Sequence, residues 1–317
     1  MNKEHQKSSR WQTSHSLARS AWRVIRLDRH LSWLPVLSVV ASIAVGMVFL
    51  LPIVFTTTMQ SGASQNGDQI FVGPFFDNKP LAVGFGICFY LALTFVGTFF
   101  SGALIAGLLE RFRGGTPTVG SALATARQHT SPLFAFALLT GTIGYILNAI
   151  EERVPFAGQV ATWLVGATWA VASMFAIPVI VGSSKKVGPL AATKQSVGII
   201  KKTWGENVIL NSSIGLVALA SIVAFVVASA GIGVVGGIVV NALHVSTMTT
   251  AIVGLAYGVL AIGGFVALCL LITMLSAAAK AAIYYYATTG TAPHMFEREV
   301  LQASFTKREA RKVFSAS

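Results

Sequence analysis

Apolar residues run along this chain in long blocks, separated by short polar stretches. Six blocks reach the roughly 20 residues that an α-helix needs to cross a hydrocarbon layer about 30 Å thick. They cover residues 31–55, 81–109, 132–150, 157–182, 208–238 and 250–279. None alternates with period 2, and all are longer than a barrel strand. The pattern therefore predicts an all-α, polytopic membrane helical bundle with six transmembrane helices. Pro35, Pro52 and Pro178 fall near block ends, where a missing backbone hydrogen bond costs least. The third block is the shortest, bounded by Pro132 and by Asn148 with Glu151, Glu152 and Arg153 beyond it. On this division, residues 1–30 are a basic amphipathic N-terminal segment, 31–287 the membrane domain and 288–317 a polar, basic tail.

Composition agrees with the pattern. The 317 residues are 54% hydrophobic and only 11% charged, against about 25% charged in soluble domains. Mean hydropathy is +0.70. The two cysteines, Cys88 and Cys269, each lie inside an apolar block and read as small core hydrophobes. The first thirty residues do not fit a cleavable signal, because the apolar run after them exceeds a signal core of about 7–15 residues.

The net charge of +12 is distributed by side. The N-terminal segment, the connections 110–131 and 183–207, and the tail hold 20 lysines and arginines, whereas the alternate connections hold only Lys79 and Arg153. Basic residues in short loops stay on the cytoplasmic side, so both termini are expected there. The excess of cations thus serves topology, with attraction to anionic inner-leaflet lipid as a consequence. Nucleic acid is not an expected partner.

The basic connections have internal order. In residues 16–31, Arg19, Arg23, Arg26 and His30 project within about 60° of one another on a helix, opposite Leu17, Ala21, Val24 and Ile25. That is an amphipathic helix suited to a membrane surface. Residues 189–202 repeat it at an offset of 175, Arg19 matching Lys194 and Arg26 matching Lys201. Residues 118–130 hold the equivalent place before the third block but match poorly. The chain therefore admits a threefold repeat of surface helix and transmembrane hairpin. The alternative is that basic loops between membrane helices commonly form such helices. Lys202 and Trp204, at the entry to the fifth block, complete this set of candidate lipid and interface contacts.

Lys280 follows the sixth block and precedes Tyr284, Tyr285 and Tyr286. A lysine at the cytoplasmic end of a span can extend its ammonium to the headgroups, with the tyrosines as an interfacial belt. The competing reading is a buried charge facing a cavity or a carboxylate. Asn148, Asn211 and Lys280 are the candidate cavity-lining residues. The outer side is sparse. Residues 56–80 form its longest loop, and the apolar patch "FVGPFF" is expected to dip into the interface.

Other motifs carry little chemistry. Gly231, Gly233 and Gly236 fit G-x-G-x-x-G, but they lie in apolar sequence with no acidic residue between Glu206 and Glu297. Close helix packing explains them better. "GSSKKVGP" at 182–189 lacks the spacing of a phosphate-binding loop. The six histidines are scattered, and no metal or nucleophile–base set is visible, so neither cofactor nor enzymatic activity is expected. The triplet Glu151–Arg153 reads as a solvated turn.

Four stretches, "SAWRVIRLDRHLSWLPVLS" (20–38), "LLERFRGGTPTVGSAL" (108–123), "KQSVGIIKKTWGENV" (194–208) and "YYYATTGTAP" (284–293), together resemble a bacterial family of uncharacterised six-helix integral membrane proteins. More distantly, the pattern of surface helix and hairpin looks like the membrane domain attached to some glycerophosphodiester phosphodiesterases. This chain has no accompanying hydrolase domain, so that activity does not carry over. The resemblance implies a bacterial inner-membrane location and supplies no catalytic residue. The expected role is non-enzymatic, acting through lipid or protein partners at the inner leaflet, including a second copy of the chain. The alternative is a transporter or channel for a small neutral or amphiphilic solute.

Overall fold

The computed structural model describes residues 28–56, 58–61, 69–72, 78–153, 157–203, 213–242, 246–291 and Pro293. Among them, six stretches are long and apolar enough to cross a membrane: His30–Phe55, Lys79–Phe112, Thr130–Arg153, Gly158–Gly182, Ala218–Ala242 and Thr247–Thr289. Each coincides with one predicted block, giving the all-helical architecture of a multi-pass membrane protein. The chain divides into two units, Arg29–Lys202 and Met1–Asp28 with Thr203–Ser317.

In the first unit, a 3-10 turn at Arg29–Ser32 leads into α1 (Trp33–Thr56). Two short strands follow, β1 (Thr58–Ser61) and β2 (Gln69–Val72), paired antiparallel with Thr58 opposite Val72. The ribbon corrects the expectation of a plain loop at 56–80. Ile70, Phe71 and Val72 favour extended backbone, and the ladder pairs polar groups that a loop leaves to solvent. The rest of the apolar patch, 73–76, lies outside the described residues.

The next element, α2 (Lys79–Phe112), is the hub, packing against α1 and against three later helices. Asn78 caps its start by accepting a hydrogen bond from the Leu81 N–H at 3.3 Å. Its 34 residues span about 51 Å. Only its last third, Gly102–Leu109 and Phe112, is buried. Then come α3 (Val119–Gln128), α4 (Thr130–Arg153), α5 (Ala157–Ala172), α6 (Ala176–Gly182) and α7 (Pro189–Thr203).

The core of this unit gathers at one end. Leu31 and Leu34, the last third of α2, Ala122 and Ala126 of α3, Leu133 and Phe136 of α4, and Val179–Val181 of α6 are all buried. The loops 113–118 and 183–188 close this end, referred to below as the basic end. Toward the other end, side chains such as Val48, Val54 and Phe55 are exposed, as lipid-facing positions are. Two glycines permit the close packing. A Cβ on Gly102 would lie 3.0 Å from a Leu133 methyl, and one on Gly107 would lie 2.8 Å from a Leu31 methyl.

Two sequence expectations change here. Glu151, Glu152 and Arg153 form the exposed last turn of α4 rather than a turn beyond it, so the third block is a full 24-residue helix. The fourth block is not one helix. It breaks at Ser173–Phe175, between α5 and α6.

The second unit, where described, pairs α8 (Ser213–Ala242) with α9 (Thr247–Thr289). The Tyr257 hydroxyl donates to the Ser229 carbonyl. Gly233 lies against the Tyr257 ring, and Phe225 meets Phe265 at 6.1 Å. Ser246 caps α9, and Gly290, at φ +71°, ends it. Gly231, Gly233 and Gly236 all lie within α8, which rules out the strand–turn–helix context of a dinucleotide site. Only Gly233 of the three has a neighbour within 4 Å, so close packing explains one glycine and not the set.

The sixth block ends at 279 in the sequence pattern, but α9 runs on to Thr289. The stretch 277–283 contains five alanines, the strongest helix formers, and nothing in it interrupts the hydrogen-bond ladder. The tail from 294 onward lies outside the described residues, as does the expected N-terminal amphipathic helix up to residue 27.

Candidate functional site

The feature that most organises the basic end is the break in the fourth span. Pro178 has no N–H, and its ring clashes with the carbonyl four residues earlier, that of Met174. The backbone answers with a tight turn. The Met174 N–H donates to the Val171 carbonyl at 3.1 Å, and the Ala176 N–H to the Ser173 carbonyl at 2.9 Å. Phe175, 1% exposed, would then hold an N–H with no helical acceptor. Ser196, from the middle of α7 and itself fully buried, supplies one: its Oγ accepts the Phe175 N–H at 3.0 Å. A side chain 21 residues away thus completes the backbone of a membrane span. Irregular backbone at membrane depth requires such a partner.

This bond fixes how α7 is presented. Ala192 and Ser196, one helical turn apart, are its buried positions. Lys194 and Lys201 project from nearly the opposite side and are exposed. The inner side of α7 is thus a pair of small buried residues, one of them anchored by a hydrogen bond and not by apolar contact alone.

The same arrangement occurs at α3, displaced by 70 residues. Phe112 and Gly182 end the preceding helices, six-residue loops follow, and α3 and α7 begin at Val119 and Pro189. Ala122 and Ala126 stand where Ala192 and Ser196 stand, and all four are buried. Sequence matching of 118–130 by charge missed this, because the shared feature is the buried small pair. The difference at the second member has a cause. Position 126 needs no hydroxyl, because α2 is continuous at Ile105, the counterpart of Phe175.

The loop between α2 and α3 is tightly built. Gly114 takes the left-handed conformation, φ +88°, and the N–H groups of Arg113, Gly114 and Gly115 are all taken by carbonyls of the last turn of α2. Thr118 and Ser121 form a capping box, each hydroxyl accepting the other's N–H at 3.0 Å. The Ser121 hydroxyl also donates to Glu110 Oε2 at 2.8 Å, tying the end of α2 to the start of α3. Arg113 reaches across to the other loop, its Nη2 donating to the Gly182 carbonyl at 3.2 Å. A cation there complements the negative end of α6.

The residues singled out from sequence do not converge on one place. Lys194 and Lys201 share the exposed face of α7. Lys202 belongs to its last turn, and its side chain lies outside the described residues, as do Arg19, Arg23, Arg26, Trp204 and Asn211. Asn148 is exposed on α4. A cavity of about 310 Å³ between α1 and α2 is lined by apolar groups, among them Phe49, Ile53, Phe85 and Phe89. Lys280 is half-buried within α9, and Tyr284 is buried, with Tyr285 and Tyr286 half-buried. Tyr284 thus packs against protein. Among the described residues, no group of three or more His, Cys, Asp or Glu side chains is placed to hold a metal ion. Ser196, Arg113, Glu110 and Ser121 were not singled out from sequence. The signal available for them was a polar residue on the apolar side of a predicted amphipathic helix, and loops of equal length at a constant offset.

Residues 82–294, more than half of the chain, match the profile of a family described as a family of unknown function, DUF6159. Comparison with curated proteins and with solved structures gives no match.

Proposed function

We propose a role from the chain's own geometry, because the chain belongs to a family whose function is itself unknown. The protein is a non-enzymatic, multi-pass component of a bacterial inner membrane, with both termini cytoplasmic, that engages anionic lipid at the inner leaflet. The observation that carries this is the two-faced anchoring of α7. Ser196 holds the helix to Phe175, seven residues before the fourth span ends at Gly182, and Lys194 and Lys201 stand exposed on the opposite side. Exposed cations on a helix that follows the cytoplasmic end of a span reach anionic headgroups, each contributing about 1 kcal/mol near the surface and less at high salt. Arg19, Arg23, Arg26 and Lys202 belong to the same basic side in the sequence.

The full chain reconstituted in liposomes containing an anionic phospholipid is expected to unfold at higher temperature than in zwitterionic liposomes. The difference shrinks with salt, and again in the double variant Lys194→Gln, Lys201→Gln. Equal unfolding temperatures in the two lipids would remove the proposal.

A second reading, passage of a small neutral or amphiphilic solute, is favoured by the broken fourth span, since interrupted helices form the binding sites of many transporters. Two buried polar atoms on α4 and α5, Thr140 Oγ1 and Trp169 Nε1, also have no hydrogen-bond partner among the described residues. The break itself, however, is filled by Phe175 and closed by Ser196. The same liposomes decide between the readings: solute release above that of protein-free liposomes selects the second.

A further inference from the structure

We propose that the cavity between α1 and α2 holds one acyl chain of a membrane lipid. It lies at the end of the unit away from the basic loops, and its occupancy is independent of the inner-leaflet reading above. Its volume of about 310 Å³ stands at the lower end of the range for ligand pockets, about 300–1,000 Å³. Phe49, Leu50 and Ile53 line it from α1, and Ala82, Phe85, Gly86 and Phe89 from α2. The α2 residues recur at intervals of three and four, so they form one stripe along the helix. Two of them are small, which leaves a hollow opposite the large side chains of α1. The Phe49 ring fixes the wall, 5.0 Å from the ring of Phe85 and 5.3 Å from that of Phe89. Gly86 marks the unfilled part, because a Cβ built there meets nothing within 4 Å.

The chemistry and the place of the cavity name its occupant. None of the described residues that line it carries a polar side chain, so it offers water no hydrogen bond and stays dry. A void forfeits dispersion contacts along its whole lining, and a hydrocarbon restores them. Both walls belong to stretches of membrane-spanning length, His30–Phe55 and Lys79–Phe112. Ile53 and Ala82 lie three residues in from the ends of α1 and α2 that face the ribbon, and Phe89 lies ten residues in. The lining thus runs from about 5 to about 15 Å along the spans, the depth and direction of acyl chains. Val48, Leu51, Val54 and Val83 around it are at least half exposed, as lipid-facing residues are. Leu50, part of the wall, is 55% exposed, so a chain enters sideways from the surrounding bilayer.

The full chain is reconstituted in liposomes of a phosphatidylcholine that carries a photoactivatable diazirine in one acyl chain. After irradiation, adducts are mapped by peptide mass spectrometry. They are expected to concentrate at 49–53 and 82–89, above the level at lipid-facing positions such as Ile232, Val235 and Ile238 of α8, all more than 60% exposed. Gly86→Leu fills the hollow without displacing backbone, and is expected to lower adducts at 49–53 about tenfold, equivalent to about two methylenes kept from burial. Gly84→Leu, on nearly the opposite side of α2 and also with nothing within 4 Å of its Cβ, is expected to leave them unchanged. An unfolding temperature close to that of the original chain identifies the Gly86→Leu variant as folded. Unchanged adducts in that folded variant overturn the proposal. Adducts spread evenly over exposed apolar positions of the unmodified chain do so without any variant. Absence of adducts at 49–53 and 82–89, with chains joined pairwise at the exposed Cys88 by a thiol-reactive cross-linker, gives the cavity to a second copy and overturns the lipid assignment.

Discussion

Replacing Ser196 with alanine is expected to destabilise the Arg29–Lys202 unit by about 1–3 kcal/mol, far more than loss of one small hydroxyl suggests. The hydroxyl is the acceptor for the Phe175 N–H at the break in the fourth span, and both residues are buried. Its removal leaves a backbone donor without water or carbonyl to take it. Hydrogen bonds between membrane helices average only about 0.6 kcal/mol, because either partner finds a substitute when separated. No substitute is available here, since Pro178 makes the break permanent. Unfolding of the purified chain in detergent, by heat or by denaturant, reads the difference. Ala126→Ser, at the counterpart position beside continuous helix, provides the contrast: an added hydroxyl there meets no unsatisfied donor and is expected to stabilise nothing. A Ser196→Ala variant as stable as the original would show that the capping bond is not formed.

Gly107→Leu is expected to have an effect at least as large. A Cβ at this position would lie 2.8 Å from Leu31 Cδ2 and 3.3 Å from Ala122 Cβ. Leu31 can turn its side chain aside. The Ala122 Cβ cannot move without moving α3, which the Thr118–Ser121 capping box and the Ser121–Glu110 bond hold to α2. Gly107→Ala should therefore cost little once Leu31 rotates, whereas a leucine forces α3 off α2. Overpacking of this kind costs about 1–3 kcal/mol or more, and the yield of folded protein from membranes should fall sharply. Combining Leu31→Ala with Gly107→Ala tests the geometry, because the pair is expected to cost less than the sum of the two single variants. Tolerance of Gly107→Leu would mean that α3 does not rest on α2 at this point.

What the sequence made legible follows from the range of the forces involved. A span is a local property, twenty apolar residues and no strong breaker, so all six were visible. Apolarity stops at Lys280 while helix propensity does not, so α9 extends beyond the apolar block. The ribbon at Thr58–Val72 escaped notice because each strand has only four residues, too few to show alternation. Pro178 was visible, but it read as a block end. Its consequence at Met174 and Phe175 depends on Ser196, a partner that no local pattern identifies. The basic loops 113–118 and 183–188 lie at one end of their unit, and the bond that joins them links residues 69 positions apart, which no local pattern identifies. The kinship of α3 and α7 was hidden for a related reason. Charges on exposed faces drift freely, whereas the buried pairs Ala122/Ala126 and Ala192/Ser196 answer to packing.

The whole account depends on six crossings with the basic loops inside, and single-cysteine labelling tests that most directly. With Cys88 and Cys269 replaced by serine, one cysteine is introduced at a time, as Arg127→Cys, Lys185→Cys, Glu152→Cys or Ser246→Cys, all at exposed positions. A membrane-impermeant maleimide applied to intact cells is expected to label the Glu152→Cys and Ser246→Cys variants, and to reach Arg127→Cys and Lys185→Cys only after permeabilisation. Labelling of the Lys185→Cys variant in intact cells would contradict the orientation, and with it the placement of Lys194 and Lys201 against the inner leaflet.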